Sequence, residues 1–424
     1  MATYPLNVIV TVDFSTGPNF GYPFTLDDPI YGVLNTSQLG LTSATAQIVN
    51  VSNQVTSINI SGGYDLLQDQ FQTGNCTFRL IDQNGDWNPT NTASPYYPNI
   101  SPMRKVRVAA QDKVTLNTYY LFSGYIINYD YHYPTNQSIG YVDITCQDGF
   151  RLFNLAAITG VSGGTAGQTT ADRMASILST VGFPTSMQTM TTTSGSTCQV
   201  DPGSARTSLQ ALKNVEFVEQ GAFYMSGEGN AVFKSRNDLY KTSGALPIYY
   251  FSNDGVGIAF KNVKYALDDK LVINQANITG IGQATSTAVD STSVAKYFYH
   301  TVTQGNLVAA SAVDTQNIAN IYVATRKDTV MRIDELTLDL TTPNYSVGIA
   351  AALAIDYYST IRIKNVNVIV PGQTIDRTLQ VLGMAFYITP NIFNVTFTTS
   401  EPTIDGFILD SALYGLLDTS TLAW

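Results

Sequence analysis

Through much of the chain apolar and polar residues alternate singly, the period of a strand with one buried face. Residues 7–13, 44–60, 75–81 and 332–340 carry this pattern, and each is read as one or two strands. Two stretches change to helical spacing. Residues 170–181 place Met174, Ile177, Leu178 and Val181 on one face, with Thr169 or Thr170 as cap and Gly182 as stop. Residues 204–219 do the same with Leu209, Leu212, Val215 and Phe217. A hairpin follows: Ala222-Phe-Tyr-Met, a Ser-Gly-Glu-Gly-Asn turn, then Ala231-Val-Phe-Lys. Strands resume from Ile248 through 257–263 and 271–278, residues 286–299 read as a polar stretch ending in aromatics, and 314–326 predicts a helix with Ile318, Ile321 and Tyr322 on one face. Residues 350–357 are a short helix or turn.

The pattern occurs twice. Residues 103–108, 120–129 and 140–146 read as a basic strand, a strand with a central glycine (Gly124), a turn and a returning alternating strand. Residues 361–366, 379–388 and 393–398 repeat that order, with Gly383 as the central glycine. A second echo is closer. Residues 24–39 and 407–422, laid side by side without a gap, are identical at Phe24/Phe407, Leu26/Leu409, Asp27/Asp410, Tyr31/Tyr414, Gly32/Gly415, Leu34/Leu417, Thr36/Thr419, Ser37/Ser420 and Leu39/Leu422. These Phe-x-Leu-Asp arms are either turns packed on the chain's own core or docking segments for another molecule. Duplication, and a place at the C-terminal end where chains usually fray, favour docking. The expected organisation is mainly β with α+β insertions. A first β-domain spans 1–150 with the arm inserted at 14–43, and a small α+β domain spans 155–245 behind the boundary at 163–167. A second, related β-domain with helical insertions spans 246–402, and 403–424 is the C-terminal arm.

Composition narrows the class. Hydrophobic residues make up 44% of the 424, whereas charged residues are only 13%, against about 25% in ordinary globular domains. Neutral polar residues and 26 tyrosines fill the gap, a surface suited to permanent contacts. The net charge of −10 argues against a nucleic-acid-binding face and is compatible with DNA passing without sticking. Three widely spaced cysteines, Cys76, Cys146 and Cys198, fit neither a zinc site nor a disulfide framework and read as buried thiols. The first residues read as a strand rather than a secretory signal, and no stretch approaches the ~20 apolar residues of a membrane helix.

Candidate chemistry is thin. The two histidines, His132 and His300, sit in aromatic strand contexts, and no Ser/His/Asp or Cys/His set assembles around them. Asp82, Asn84, Asp86 and Asn88 alternate like a calcium loop, yet the glycine stands at 85 and no closing Glu follows, so a tight Asn-Gly turn is the plainer reading. The glycines at 160–167 lack a following Lys and are a linker, not a phosphate loop. Glu216 and Glu219 lie three apart on a helix and are read as a solvated face. Arg104, Lys105 and Arg107 either grip an acidic partner or guard a strand edge by charge. Tyr96, Tyr97, Tyr119, Tyr120, Tyr129, Tyr131 and Tyr133 suit either sugar stacking or, more commonly, a protein interface. No catalytic, cofactor or metal residues are assigned, and the chain is not expected to be an enzyme.

Taken in order, several segments resemble the minor tail or tail-tip hub proteins of tailed bacteriophages. They are the arms, Leu80-Ile-Asp-Gln-Asn-Gly-Asp-Trp-Asn-Pro with the Pro-rich run after it, Leu121-Phe-Ser-Gly-Tyr, Cys146-Gln-Asp-Gly-Phe-Arg-Leu-Phe, Ala222-Phe-Tyr-Met with Gly229-Asn-Ala-Val-Phe-Lys, and Asp290-Ser-Thr-Ser-Val-Ala-Lys-Tyr. The resemblance covers nearly the whole chain. It implies a baseplate-hub fold of two β-barrel-like tube domains, assembled as a homotrimer in the virion after synthesis in the host cytoplasm. Six quasi-equivalent units in such a trimer could match a sixfold tail tube to a threefold tip. The partners implied are a distal tail protein or tail tube ring, the tape measure protein and tail fibre or tip proteins, with DNA transiting the channel. Phe24, Leu26, Asp27, Tyr31 and Leu34, with Phe407, Leu409, Asp410, Tyr414 and Leu417, would be the docking contacts. A glycan-binding tip protein using residues 125–133 is the alternative.

Overall fold

Single alternation produces strands with one dry face. In the strand Asn75–Ile81, Cys76, Phe78 and Leu80 are buried while Asn75, Thr77 and Arg79 face solvent. The computed structural model describes residues 5–14, 48–134, 139–191, 195–243, 247–341, 346–366 and 374–401. Both Phe-x-Leu-Asp arms lie outside the described residues.

Among the described residues fourteen strands form one sheet. They are β1 (Leu6–Asp13), β2 (Ile48–Asn50), β3 (Val55–Asp65), β4 (Gln70–Phe71), β5 (Asn75–Ile81), β6 (Lys105–Asp112), β7 (Thr118–His132), β8 (Tyr141–Gln147), β9 (Tyr249–Ser252), β10 (Asn262–Ala266), β11 (Arg332–Asp339), β12 (Thr360–Val366), β13 (Thr374–Thr389) and β14 (Ile392–Ser400). The order contains one arrangement twice. The first half runs β3-β5-β8-β7-β6-β1 and the second runs β10-β11-β14-β13-β12-β9. Within each, a three-stranded antiparallel meander (β6-β7-β8, β12-β13-β14) carries the strand set that repeats in the sequence. The outermost strands differ: β1 runs antiparallel to β6, β9 parallel to β12.

Register shows where the sequence comparison slipped. β7 carries an extra residue opposite β8 between Ile126 and Asn128, and β13 carries one opposite β14 between Val381 and Gly383. Superposing these bulges makes Asn128, not Gly124, the counterpart of Gly383. The two central glycines are four residues apart in structural register because each serves its own close approach. Gly124 abuts the Gln147 carbonyl, whereas Gly383 abuts Gly63.

The two strand sets, expected as separate barrel-like domains, share one open sheet among the described residues. The reason is the length of β13. Its first half pairs with β12, and its second half, on the same edge, pairs with β3. A single core follows beneath both halves, from Val10, Phe78 and Trp87 to Leu338, Ile361 and Phe397.

A second core lies beside the sheet. It gathers α1 (Phe150–Leu155), α2 (Thr170–Thr180), α3 (Ser208–Glu219), the hairpin 222–234, and α6 (Ala312–Arg326) with the three-stranded sheet 275–307. The remaining helices are α4 (Arg236–Ser243), α5 (Ser291–Tyr297) and α7 (Ser346–Ala354). Caps set the helix starts: the Thr169 side chain accepts from the Asp172 N–H, and Thr207 with Gln210 forms a reciprocal capping box. The polar stretch 286–299 holds structure the pattern did not reveal, a strand (Ser286–Val289) and then α5, capped by Asp290. An Arg326–Asp69 ion pair ties α6 to the turn after β3. Among the described residues no helix is long and apolar enough to cross a membrane.

Two readings of charged residues are corrected. β6 is an interior strand between β1 and β7, so Lys105 guards no edge. It is 2% exposed and lies opposite Asp13, and burial pulls its ammonium down to about 8. Glu216 and Glu219, read as a solvated face, are 2% and 0% exposed. Each carboxylate accepts backbone N–H groups that have lost water: Glu216 from Phe223 at 2.8 Å, Glu219 from Gly195 and Ser196 at 3.0 Å. Backbone donors, and for Glu216 also the buried Lys213 ammonium at 2.8 Å, called for acids there, not solvent.

Candidate functional site: the sheet junction and two unpaired edges

The junction inside the chain is short and dry. Ile58 to Gly63 of β3 pair antiparallel with Ile388 to Gly383 of β13. Ile58, Ile60, Phe386 and Ile388 are buried on one face, whereas Asn59, Ser61 and Tyr387 face outward. A pair of glycines makes the approach possible: a Cβ on Gly63 would sit 2.4 Å from the Gly383 Cα and 2.8 Å from the Leu382 carbonyl. The Gly62-Gly63 pair inside an alternating strand was the available sequence signal.

Because the strand order repeats, the junction has an unmatched counterpart at each end of the repeat. β10 occupies the place of β3 and pairs only with β11 among the described residues. β7 occupies the place of β13. Beyond Ile126, which still exchanges hydrogen bonds with Met103 and Arg104, its edge away from β8 has no strand partner among the described residues. The residues that should be dry are half-buried at both edges: Tyr129 and Tyr131 on β7, Val263 and Tyr265 on β10. Past β10, exposed apolar side chains stand among the charges of Asp268, Asp269 and Lys270. Leu267 is 67% exposed and flanks Met331, and Phe298, 77% exposed at a φ of +65°, stacks edge-on against Tyr299.

Tyr129, Tyr131 and Tyr133 form a ladder on β7 with ring centroids 6.2 and 6.1 Å apart. The outer rungs are anchored: Tyr129 donates to the Ser101 carbonyl at 3.2 Å and Tyr133 to Asp82 at 2.6 Å. Asp82 also accepts from the N–H groups of Asp86 and Trp87, so the chain's own donors occupy the loop that alternates like a calcium site. Among the described residues no cluster of His, Cys, Asp and Glu could hold a metal ion. His132 stacks on Tyr141 at 4.5 Å, and His300 is anchored through its N–H to Asn274. Cys76 and Cys146 face each other across β5 and β8 as buried thiols that burial pushes up, and Cys198 is buried as well.

One buried acid escaped the sequence reading. Asp148 follows β8 and lines a cavity of about 120 Å³ beside the junction, with Gly62, Gly63, Tyr224 and Tyr357. Its carboxylate accepts from the N–H groups of Gly74 (2.7 Å) and Phe150 (2.9 Å). Burial outweighs these bonds and the nearby Lys213, and it raises the carboxyl to about 7. The unfolded chain releases this proton near pH ~3.9, the folded chain near 7. Between those values the folded state binds more protons, so this group's share of stability falls as pH rises, by roughly 4 kcal/mol in all. Urea titrations at pH 4, 5.5 and 7.5 should show that slope, and Asp148→Asn should flatten it while losing one of the two N–H bonds.

No protein-family model matches the sequence, and no curated protein matches it. Solved structures do. A tail protein from Neisseria meningitidis MC58 superposes with a TM-score of 0.56 at 10% identity, over 94% of this chain and 97% of its own. The 43 kDa tail protein of prophage MuSo2 from Shewanella oneidensis gives 0.58 at 11% identity, over 94% and 99%. The chain therefore has the fold of these tail proteins along nearly its whole length.

Proposed function

We propose that the chain is a structural subunit of a phage tail tip or baseplate, a hub whose three copies form a ring of six quasi-equivalent β-modules. The observation that carries this reading is the repeated strand order within one sheet. Two like modules per chain place a sixfold tube and a threefold tip in register when three chains close a ring. The whole-chain likeness to tail proteins supports the setting. In this role the ring joins the tail tube or distal tail ring to the tip and surrounds the path of DNA and tape measure protein. The low charge content and net charge of −10 suit a wall that DNA passes without binding. The arms around Phe24 and Phe407 would give six docking segments for the neighbouring ring, and the chemistry is assembly, not catalysis.

Immunogold labelling of intact particles should place the protein at the free end of the tail. Gold on the capsid, or none on the particle, would remove the reading. Deleting residues 407–424 should cost the trimer most of its binding to the adjacent tail ring in a pull-down, and undiminished binding would take the C-terminal arm out of the account.

A further inference from the structure

The internal junction also predicts the contact between copies. We propose that the edge of β7 left unpaired among the described residues of one copy pairs antiparallel with the corresponding edge of β10 in the next, in the register that β13 and β3 use within the chain. This rests on the ring reading and adds to it the contact residues.

The register follows from two chains of pairing. The matched bulges make Asn128 to Tyr133 the counterparts of Gly383 to Ile388. On the other side, Thr145 of β8 and Thr398 of β14 each pair one residue after the bulge, and they pair onward with Thr77 and Glu335. Thr77 pairs with Asn59 and Glu335 with Lys264, so Lys264 is the counterpart of Asn59. Carrying over the Tyr387–Asn59, Phe386–Ile60 and Ala385–Ser61 pairs gives His132 opposite Lys264, Tyr131 opposite Tyr265 and Asp130 opposite Ala266 of the next copy.

Three independent features agree with that register. The faces match: Tyr129 meets Leu267, Tyr131 meets Tyr265 and Tyr133 meets Val263, so half-buried or exposed apolar groups cover one another as Phe386 and Ile60 do within the chain. The charges match: Asp130 stands across from Asp143 of its own sheet, and Lys264 of the next copy arrives on the diagonal, where cross-strand charges interact. Leu267 and Met331, 67% and 44% exposed, lie at the end of the β10 edge, where a second chain would cover them.

Paired cysteines test this in the full chain, whose own three thiols are buried. Asp130/Ala266 and His132/Lys264 lie two positions apart and so share one spacing, and both spacings of an antiparallel ladder, about 4.5 and 5.5 Å between Cα atoms, lie within the range a disulfide spans. Both Asp130→Cys/Ala266→Cys and His132→Cys/Lys264→Cys are therefore made and oxidised at the protein's assembling concentration. Each of them should convert most of the chain into a covalent trimer on a non-reducing gel. A mixture of Asp130→Cys and Ala266→Cys single variants, or of His132→Cys and Lys264→Cys, should give heterodimers that neither single variant gives alone. A trimer by native mass spectrometry without either crosslink would overturn the edge pairing and leave the ring standing. Monomers without crosslinks at every concentration would overturn both.

Discussion

Gly63→Val should pull the two halves of the sheet apart. The new Cβ would start 2.4 Å from the Gly383 Cα and 2.8 Å from the Leu382 carbonyl, and both obstacles are backbone. No rotamer change relieves such a contact. The strands must separate, and six paired positions from Ile58–Ile388 to Gly63–Gly383 depend on their staying together. Overpacking costs about 1–3 kcal/mol where side chains can move, and more where the obstacle is backbone. The dry residues beneath, Ile60 and Phe386, would then meet water. Chemical denaturation should lose its single transition, and hydrogen exchange should quicken first at 58–63 and 383–388. Ser61→Val is the matched control. It lies two residues away on the exposed face, and its expected change is within about 0.5 kcal/mol.

The second large effect belongs to Glu219. Its carboxylate, wholly buried, accepts from the Thr170 hydroxyl at 2.7 Å, from the Gly195 and Ser196 N–H groups at 3.0 Å, and from Arg236 N–H at 3.3 Å. One side chain thus fastens α3 to the start of α2, to the loop at 195–196 and to the start of α4. Glu219→Ala strands four donors in a dry site, each worth about 1–3 kcal/mol if nothing replaces it. With partial rescue by water, a total loss of roughly 4–6 kcal/mol is expected. Glu219→Gln keeps one acceptor oxygen and should lose about half of that. Glu335→Gln, by contrast, breaks an exposed 2.8 Å pair with Lys264 and should cost less than about 1 kcal/mol.

Much of this fold was legible because the signals were local. Phe78 and Leu80, or Leu336 and Leu338, announce their strands by alternation alone, and Thr169 marks the start of α2 by capping chemistry. Cys76 and Cys146 read as buried thiols from the same alternation. What stayed hidden depends on partners far along the chain. Nothing within residues 374–389 says that one strand will serve β12 with its first half and β3 with its second. Lys105 looked like an edge charge because a sequence does not show which strand lies in the middle. Glu216 and Glu219 looked solvated because helical spacing shows a face but not what packs on it. Of the candidate site, the duplication was readable. The edges unpaired among the described residues were not, since an edge is defined by which strand does or does not lie beside it.

The central claim is a threefold ring built from doubled modules. Negative-stain class averages of the purified protein, with native mass measured on the same sample, test it most directly. Three chains per particle and an end view with six lobes around an open centre are expected. A particle of two or four chains, or an end view with three undivided lobes, would contradict it.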